Sequence, residues 1–93
     1  MGHDTAPSRL PPGALDGLRL AFAGEVRDRL PRLVSLADPV AATRDAHTLG
    51  SSAWVVGEGD IATLARAVEQ DLTTGPLPAL IAALQDYLVR TAR

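Results

Sequence analysis

The sequence predicts an all-α protein, folded as an up-down-up-down antiparallel bundle of four helices. Apolar residues recur at steps of three and four along four segments, which is the spacing of one helix face, and no segment alternates like a strand. Short joints rich in Gly, Pro and Asp separate these segments, and short joints make consecutive helices antiparallel neighbours. The 93 residues, 46% of them hydrophobic, predict one small domain.

The composition narrows the classes of function. Only three residues are aromatic, so the core is predicted to consist mainly of Leu, Val, Ile and Ala. Nine arginines, no lysine and eleven acidic residues give a net charge of −2, which disfavours binding to nucleic acid or an anionic membrane. The longest apolar run, residues 77–84, is too short to cross a bilayer. No secretory signal is recognisable, and the expected location is the cytoplasm.

Residues 1–12 hold three of the seven prolines and show no periodicity, which predicts a flexible tail ahead of a bundle formed by residues 13–93. The first helix is predicted to follow Gly13 and to continue through Pro31. Proline removes one amide donor there, and because the apolar spacing continues beyond it, we expect a kink rather than a break. The predicted inward positions of this helix are Leu15, Leu18, Phe22, Val26, Leu30, Leu33 and Ala37.

The second helix is predicted to start at Asp38-Pro39, where aspartate caps the helix and proline fits its first turn. It is expected to run to about Val56, and Gly57-Glu58-Gly59 ends it. Its predicted inward positions are Val40, Thr43, Ala46, Leu49 or Gly50, Ala53 and Val56.

The third and fourth helices have similar local signals. Asp60 is the predicted N-cap of the third, whose inner face comprises Ile61, Leu64, Ala65, Val68 and Leu72. Residues 75–78 form the next joint, and the fourth helix ends in a basic turn that suits its dipole. Its predicted buried residues are Leu77, Leu80, Ile81, Leu84 and Leu88, and its basic residues are Arg90 and Arg93.

A histidine lies within the second helical pattern. His47, Gly50 or Ser51, and Trp54 recur at helical steps on one side of the helix, away from the apolar side. An imidazole is therefore offered beside residues with almost no side chain, and an aromatic ring follows two turns later. This pattern predicts that His47 faces solvent across a shallow hollow that a partner can enter.

The segment resembles the histidine-containing phosphotransfer (HPt) domain of two-component phosphorelays. That family has a helix that reads roughly His-x-Leu-Lys-Gly-Ser, with a glycine ten residues after the histidine. Two positions differ, since Gly50 stands where the family usually has lysine and Ser51 where it usually has glycine. The resemblance extends from about residue 15 to the C-terminus, and the positions that match without a gap are His47, Leu49, Ser52 and Gly57.

The resemblance implies a phosphocarrier rather than an enzyme. His47 would accept a phosphoryl group from a receiver-domain aspartate, or from a kinase, and pass it to another receiver. The implied partners are response-regulator receiver domains or a hybrid histidine kinase. No cofactor is expected on this chain, because the receiver brings the magnesium ion and the acidic pocket that holds it.

Several neighbours of His47 have two interpretations. Gly50 and Ser51 either form a hollow for the receiver's loops or allow close packing of helices, and we favour the hollow because a glycine inside a helix costs about 1 kcal/mol. Trp54 is either a docking anchor or a ring folded onto the bundle. Ser52 either bonds back to the carbonyl of Thr48 or is a tolerated small residue.

Nearby charges also receive predictions. Arg44 lies one turn before His47 and is our predicted substitute for the family's lysine, since a guanidinium forks onto phosphate oxygens. Asp45 is predicted to be solvated. Glu58 and Asp60 can meet a partner from the joint after the second helix, although helix capping explains Asp60 without one.

One alternative keeps the docking face without the chemistry. In that case the protein is a non-phosphorylated scaffold that docks or sequesters a receiver or a histidine kinase. A metal protein or metabolic enzyme is disfavoured, because ligand pairs such as His-x-x-x-His do not occur and His3 lies in the tail.

Overall fold

The computed structural model describes Pro11 and residues 13–72 and 75–92. These residues form four α-helices and no strand: α1 (Ala14–Ser35), α2 (Pro39–Val55), α3 (Gly59–Gln70) and α4 (Pro76–Thr91). The predicted antiparallel up-down-up-down bundle is confirmed. Each helix packs on its neighbours in sequence, and α4 closes the bundle against α1. The predicted tail, apart from Pro11, lies outside the described residues, as does Arg93.

Helix α1 continues through Pro31, as the apolar spacing predicted, and the kink there stays a prediction. The helix ends at Ser35, and its C-cap residue Leu36 takes a left-handed conformation and donates its N–H to the carbonyl of Arg32 at 3.0 Å. Two predicted inward positions are wrong. Ala37 lies beyond the end of α1, and Leu18 is exposed because the neighbouring helices leave that side of α1 uncovered.

Both ends of α2 are confirmed. The Asp38 carboxylate accepts hydrogen bonds from the backbone N–H groups of Val40 and Ala41 at 3.1 and 3.2 Å. At the other end Gly57 has a φ of 82°, and Glu58 N–H donates to the carbonyl of Ala53 at 2.8 Å. This is a Schellman motif, which needs a residue that tolerates positive φ.

The predicted inward positions at the start of α2 are wrong in part. Val40 is 69% exposed, and the hydroxyl of Thr43, which is only half-buried, donates to the carbonyl of Pro39 at 3.0 Å. Ala42 and Asp45 take the inward positions instead. The face that α2 buries is thus rotated from the predicted one at its first turns.

The start of α3 also differs from the prediction. Its N-cap residue is Glu58, which makes no side-chain capping bond, and Asp60 lies inside the first turn. The joint after α2 is short enough that α3 begins before Asp60. The carboxylate of Asp60 still stabilises α3, since negative charge is favourable in the first turn. Helix α4 begins at Pro76 after Gly75, whose φ is 56°.

The core is largely aliphatic, as predicted, and two aromatic rings pack within it. The rings of Phe22 and Tyr87 meet edge to face with centroids 5.0 Å apart. The Tyr87 hydroxyl donates to the carbonyl of Arg19 at 3.2 Å, and burial raises the pKa of Tyr87. Sequence periodicity did not assign Tyr87 to the core. The largest fully buried side chains are those of Tyr87, Phe22, Leu33, Leu49, Ile61, Leu80, Leu84, Val26 and Val68.

Polar contacts join α1 to α2. Asp45 is only 6% exposed, and its carboxylate accepts from Nε and Nη2 of Arg32 at 2.7 and 3.0 Å. The prediction that Asp45 is solvated is therefore wrong, because Arg29 and Arg32 of α1 lie opposite it. The hydrogen bond from Arg32 holds the pKa of Asp45 below its usual range.

A second polar contact between α1 and α2 corrects the prediction for Ser52. Its hydroxyl donates to Glu25 Oε1 at 2.8 Å, so its hydrogen is not available for a bond back to the carbonyl of Thr48. Within the described helices, none is both long and apolar enough to cross a bilayer.

Candidate functional site

The imidazole of His47 lies on the surface of α2, on the side that faces α3. Its side chain is 68% exposed, in agreement with the predicted outward orientation. Ring atom Nδ1 lies 2.8 Å from Oε1 of Glu69, which comes from the last turn of α3. An exposed ring is thus held by one nitrogen to the neighbouring helix.

This contact fixes the roles of the two ring nitrogens. An ionised carboxylate can only accept hydrogen bonds, so Nδ1 of His47 must carry the proton that it shares with Glu69. In the neutral ring the lone pair is then on Nε2. The side chain of Glu69 is itself mostly covered, which restricts the positions that the carboxylate can take. The arrangement presents Nε2 as a base or nucleophile.

His47 lines an open hollow of about 430 Å³ between α2 and α3. One wall comes from α2 and the other from α3, and small residues leave the space between them. The lining residues are His47, Gly50, Ser51, Trp54, Ala62, Arg66 and Glu69. The predicted residues His47, Gly50, Ser51 and Trp54 are thus brought together.

Gly50 lies where α2 and α3 approach each other closely. A Cβ atom added to it would lie 3.1 Å from Cβ of Ala65 and 3.7 Å from the carbonyl oxygen of Ala62. The packing interpretation of this glycine therefore describes a real contact. The docking interpretation stays a prediction, and it is compatible with the packing contact because Gly50 also lines the hollow.

Trp54 is 73% exposed, so the alternative in which its ring folds onto the bundle is wrong. Ser51 is exposed as well. A second hollow of about 450 Å³ continues along the same face and is lined by Trp54, Ala62, Thr63 and Arg66. Trp54, Ala62 and Arg66 therefore line both hollows.

The remaining predicted residues lie outside the hollow. Arg44 is exposed on α2 but is not among the lining residues, and its positive charge contributes to the lowered pKa of Asp45. Its role at the phosphate stays a prediction. Ser52 bonds to α1, and Gly57 ends α2, so both support the helix that carries His47.

Two residues of the hollow, Arg66 and Glu69, were missed by the sequence analysis. The signal that identifies them is the number of residues that separate each of them from the joint between α2 and α3. Glu69 lies eleven residues after Glu58, and His47 lies eleven residues before it. Arg66 and Gly50 are likewise eight residues from Glu58 on either side. Because α2 and α3 are antiparallel, residues equally far from the joint come to the same level of the bundle.

In the part of the chain that the structure describes, no group of three or more His, Asp or Glu residues is placed to hold a metal ion. The polar side-chain groups of the lining residues are one imidazole, one carboxylate, one guanidinium, one hydroxyl and one indole N–H. Such a set can bind an anion and can offer a nucleophilic nitrogen.

No family model, curated protein or solved structure matches this chain. Function is therefore inferred from the geometry of the hollow together with the sequence motif.

Proposed function

We propose that this protein is a phosphorelay intermediate that carries a phosphoryl group on Nε2 of His47. The observation that supports this most strongly is the bond from Nδ1 to Glu69 on a ring that is otherwise open to solvent. A histidine that only stabilised the fold would have little need of such exposure. The resemblance of residues 47–57 to the histidine-bearing helix of the HPt family supports the same function.

The chemistry follows from the tautomer. The lone pair on Nε2 of His47 attacks the phosphorus of an aspartyl phosphate in line. The bond between phosphorus and the aspartyl oxygen breaks, and its electron pair returns to the partner's carboxylate. The proton stays on Nδ1, so the phosphorylated ring is positively charged, and Glu69 stabilises that charge as it develops. The reverse reaction passes the group to a second receiver.

The partner completes the site. Phosphoryl transfer depends mainly on positioning and on cations that spread the charge of the phosphoryl oxygens. In our proposal the receiver brings the magnesium ion, and its loops enter the hollow beside Gly50 and Ser51. Trp54 serves as the docking anchor, because large exposed aromatic rings dominate the binding energy of many interfaces. The cytoplasm, where receivers and kinases meet, is the proposed location.

The test is phosphoryl transfer from a purified receiver domain that carries radiolabelled aspartyl phosphate. We expect base-stable, acid-labile label on the wild-type chain and none on His47→Gln. Because the ring is exposed, His47→Gln should unfold within about 0.5 kcal/mol of the wild type. Label that persists on His47→Gln would contradict the proposal.

The same experiment separates the carrier from the scaffold. Receiver affinity is measured by calorimetry for the wild type and for His47→Gln. If the wild type binds receivers tightly yet never becomes labelled, the scaffold function replaces the carrier function.

A further inference from the structure

We infer that Arg66 on α3 binds the phosphoryl group on His47 and supplies the cation that the sequence lacks at position 50. This inference rests on the proposed function. It assigns a phosphate-binding role to a helix that does not carry the histidine motif. In this inference Arg66 replaces Arg44 as the phosphate-binding cation, because Arg44 was predicted only from its spacing along α2 and does not line the hollow.

The packing of α2 on α3 explains why position 50 does not provide the cation. A side chain there would begin with a Cβ only 3.1 Å from Cβ of Ala65, which is fully buried. A lysine there would therefore press against the Ala65 methyl group and require α2 and α3 to shift apart by a few tenths of an ångström. In this bundle the close approach of the two helices and a lysine at position 50 compete for the same space.

Arg66 has the placement that the missing cation requires. It lies one turn before Glu69 on the same side of α3, and it lines the hollow together with His47. Its side chain is exposed, and no hydrogen bond or ion pair joins it to another residue within 13–72 and 75–92. The guanidinium is therefore free to turn toward a ligand without first breaking a contact.

A positive charge at Arg66 would offset the negative charge that phosphorylation adds to the hollow. A phosphoryl group on Nε2 brings negative charge into a hollow that already contains the Glu69 carboxylate. Two like charges at close range repel, and the single positive charge of the phosphorylated ring offsets only part of that repulsion. A further cation beside the phosphoryl oxygens lowers it. A guanidinium can donate two parallel N–H bonds to phosphoryl oxygens, which suits Arg66 better than a single point charge.

Arg44 provides the matched control. Both arginines are exposed, but Arg44 does not line the hollow, and its charge acts on Asp45 on the other side of α2. Replacing either one by glutamine removes one positive charge from a helix surface. A general effect of net charge would therefore appear equally in both variants.

The experiment loads His47 with potassium phosphoramidate, which needs no partner protein. The P–N bond of the reagent breaks, ammonia leaves, and phosphorus bonds to Nε2. Loading rates are measured by 31P NMR for wild type, Arg66→Gln, Arg66→Lys and Arg44→Gln. We expect Arg66→Gln to load about ten-fold more slowly, the effect of one lost charged hydrogen bond, and Arg44→Gln to stay within about two-fold of wild type.

A second readout follows Arg66 directly. Its Nε–H resonance in a 1H–15N spectrum should move when wild-type His47 becomes loaded, while that of Arg44 stays in place. Equal loading of Arg66→Gln and Arg44→Gln, or an Arg66 resonance that does not move, overturns the inference and leaves the proposed function standing. A wild type that phosphoramidate loads but no phosphorylated receiver labels overturns the proposed function alone. A wild type that neither reagent phosphorylates overturns both.

Discussion

Two neighbouring residues of α2 make similar contacts with opposite consequences. Asp45 faces α1 and lies 2.7 Å from Arg32, whereas His47 faces α3 and lies 2.8 Å from Glu69. Asp45 is almost fully buried, but the His47 ring is mostly in water. The two contacts are nearly equal in length, so burial and the availability of a second ring nitrogen distinguish the structural ion pair of Asp45 from the reactive group of His47.

The two faces also differ in how completely their charges are paired. The Asp45 carboxylate accepts two bonds from Arg32, and Nε of Arg29 lies 3.7 Å from it, buried and without a hydrogen bond of its own. Positive charge thus exceeds negative charge around Asp45. At the hollow, by contrast, Nε2 of His47 is free for chemistry, because Glu69 is bound to the other ring nitrogen.

The largest expected effect on folding comes from Asp45→Ala. This change leaves Arg29 and Arg32 without their shared carboxylate, and we expect the free energy of unfolding to fall by about 2 kcal/mol. Urea denaturation measures this loss. Loading of His47 by phosphoramidate should stay within about two-fold of wild type. If folded Asp45→Ala protein loads phosphate more than about two-fold more slowly than wild type, the two faces of α2 are coupled.

The contribution of the Asp45 ion pair to the free energy of unfolding should depend on pH. Because the pKa of Asp45 is lower in the folded protein than in the unfolded chain, its contribution to stability is complete above the unfolded value of about 3.9 and disappears as pH falls through the folded value. The difference in unfolding free energy between wild type and Asp45→Asn should therefore shrink as the pH is lowered below about 4. A difference that stays constant into strong acid would contradict the assigned ion pair.

Glu69→Ala tests the other face of α2. Without its acceptor, the His47 ring loses one fixed orientation and populates both tautomers. We expect transfer to slow about ten-fold, the low end of the effect seen when a metal-ligating histidine loses the partner of its other ring nitrogen. The ring 15N shifts of His47 should change with it, which a purely structural role would not cause. Gln70→Ala, a change at the next, exposed position, is the control and should leave both quantities unaltered.

The smallest effect compares two helical glycines. A Cβ atom added at Gly24 would lie in open space, so Gly24→Ala should stabilise the fold by up to about 1 kcal/mol through helix propensity. At Gly50 the same gain is opposed by the contact with Ala65, and we expect Gly50→Ala to give clearly less stabilisation than Gly24→Ala. Thermal unfolding measures both. Equal stabilisation would mean that α2 and α3 separate easily.

Local signals in the sequence predicted much of the fold. Asp38 caps α2 and Gly57 ends it, because capping depends on residues within a few positions of the helix end. The predicted inward-facing positions were wrong where burial depends on contacts with another helix. Asp45 is buried because Arg29 and Arg32 of α1 lie opposite it, and periodicity along α2 carries no information about α1. Val40, predicted to face inward, is exposed.

The sequence predicted the residues of the candidate site that lie on α2, but not those on α3. His47, Gly50, Ser51 and Trp54 share one hollow because they are separated by whole helical turns. Arg66 and Glu69 belong to α3, and only the antiparallel register across the joint at Glu58 brings them to His47. That register depends on where α3 begins. The sequence predicted Asp60 as the N-cap, which is two residues after the observed N-cap, Glu58.

The most direct test of the account is the position of the phosphoryl group on the His47 ring. Wild-type protein labelled with 15N histidine is loaded with phosphoramidate, and long-range 1H–15N correlation with 31P coupling identifies the bonded nitrogen. Because Glu69 holds Nδ1, we predict phosphorus on Nε2 and a proton retained on Nδ1. Phosphorus on Nδ1, or a neutral ring in the free protein that carries its proton on Nε2, would contradict the central claim.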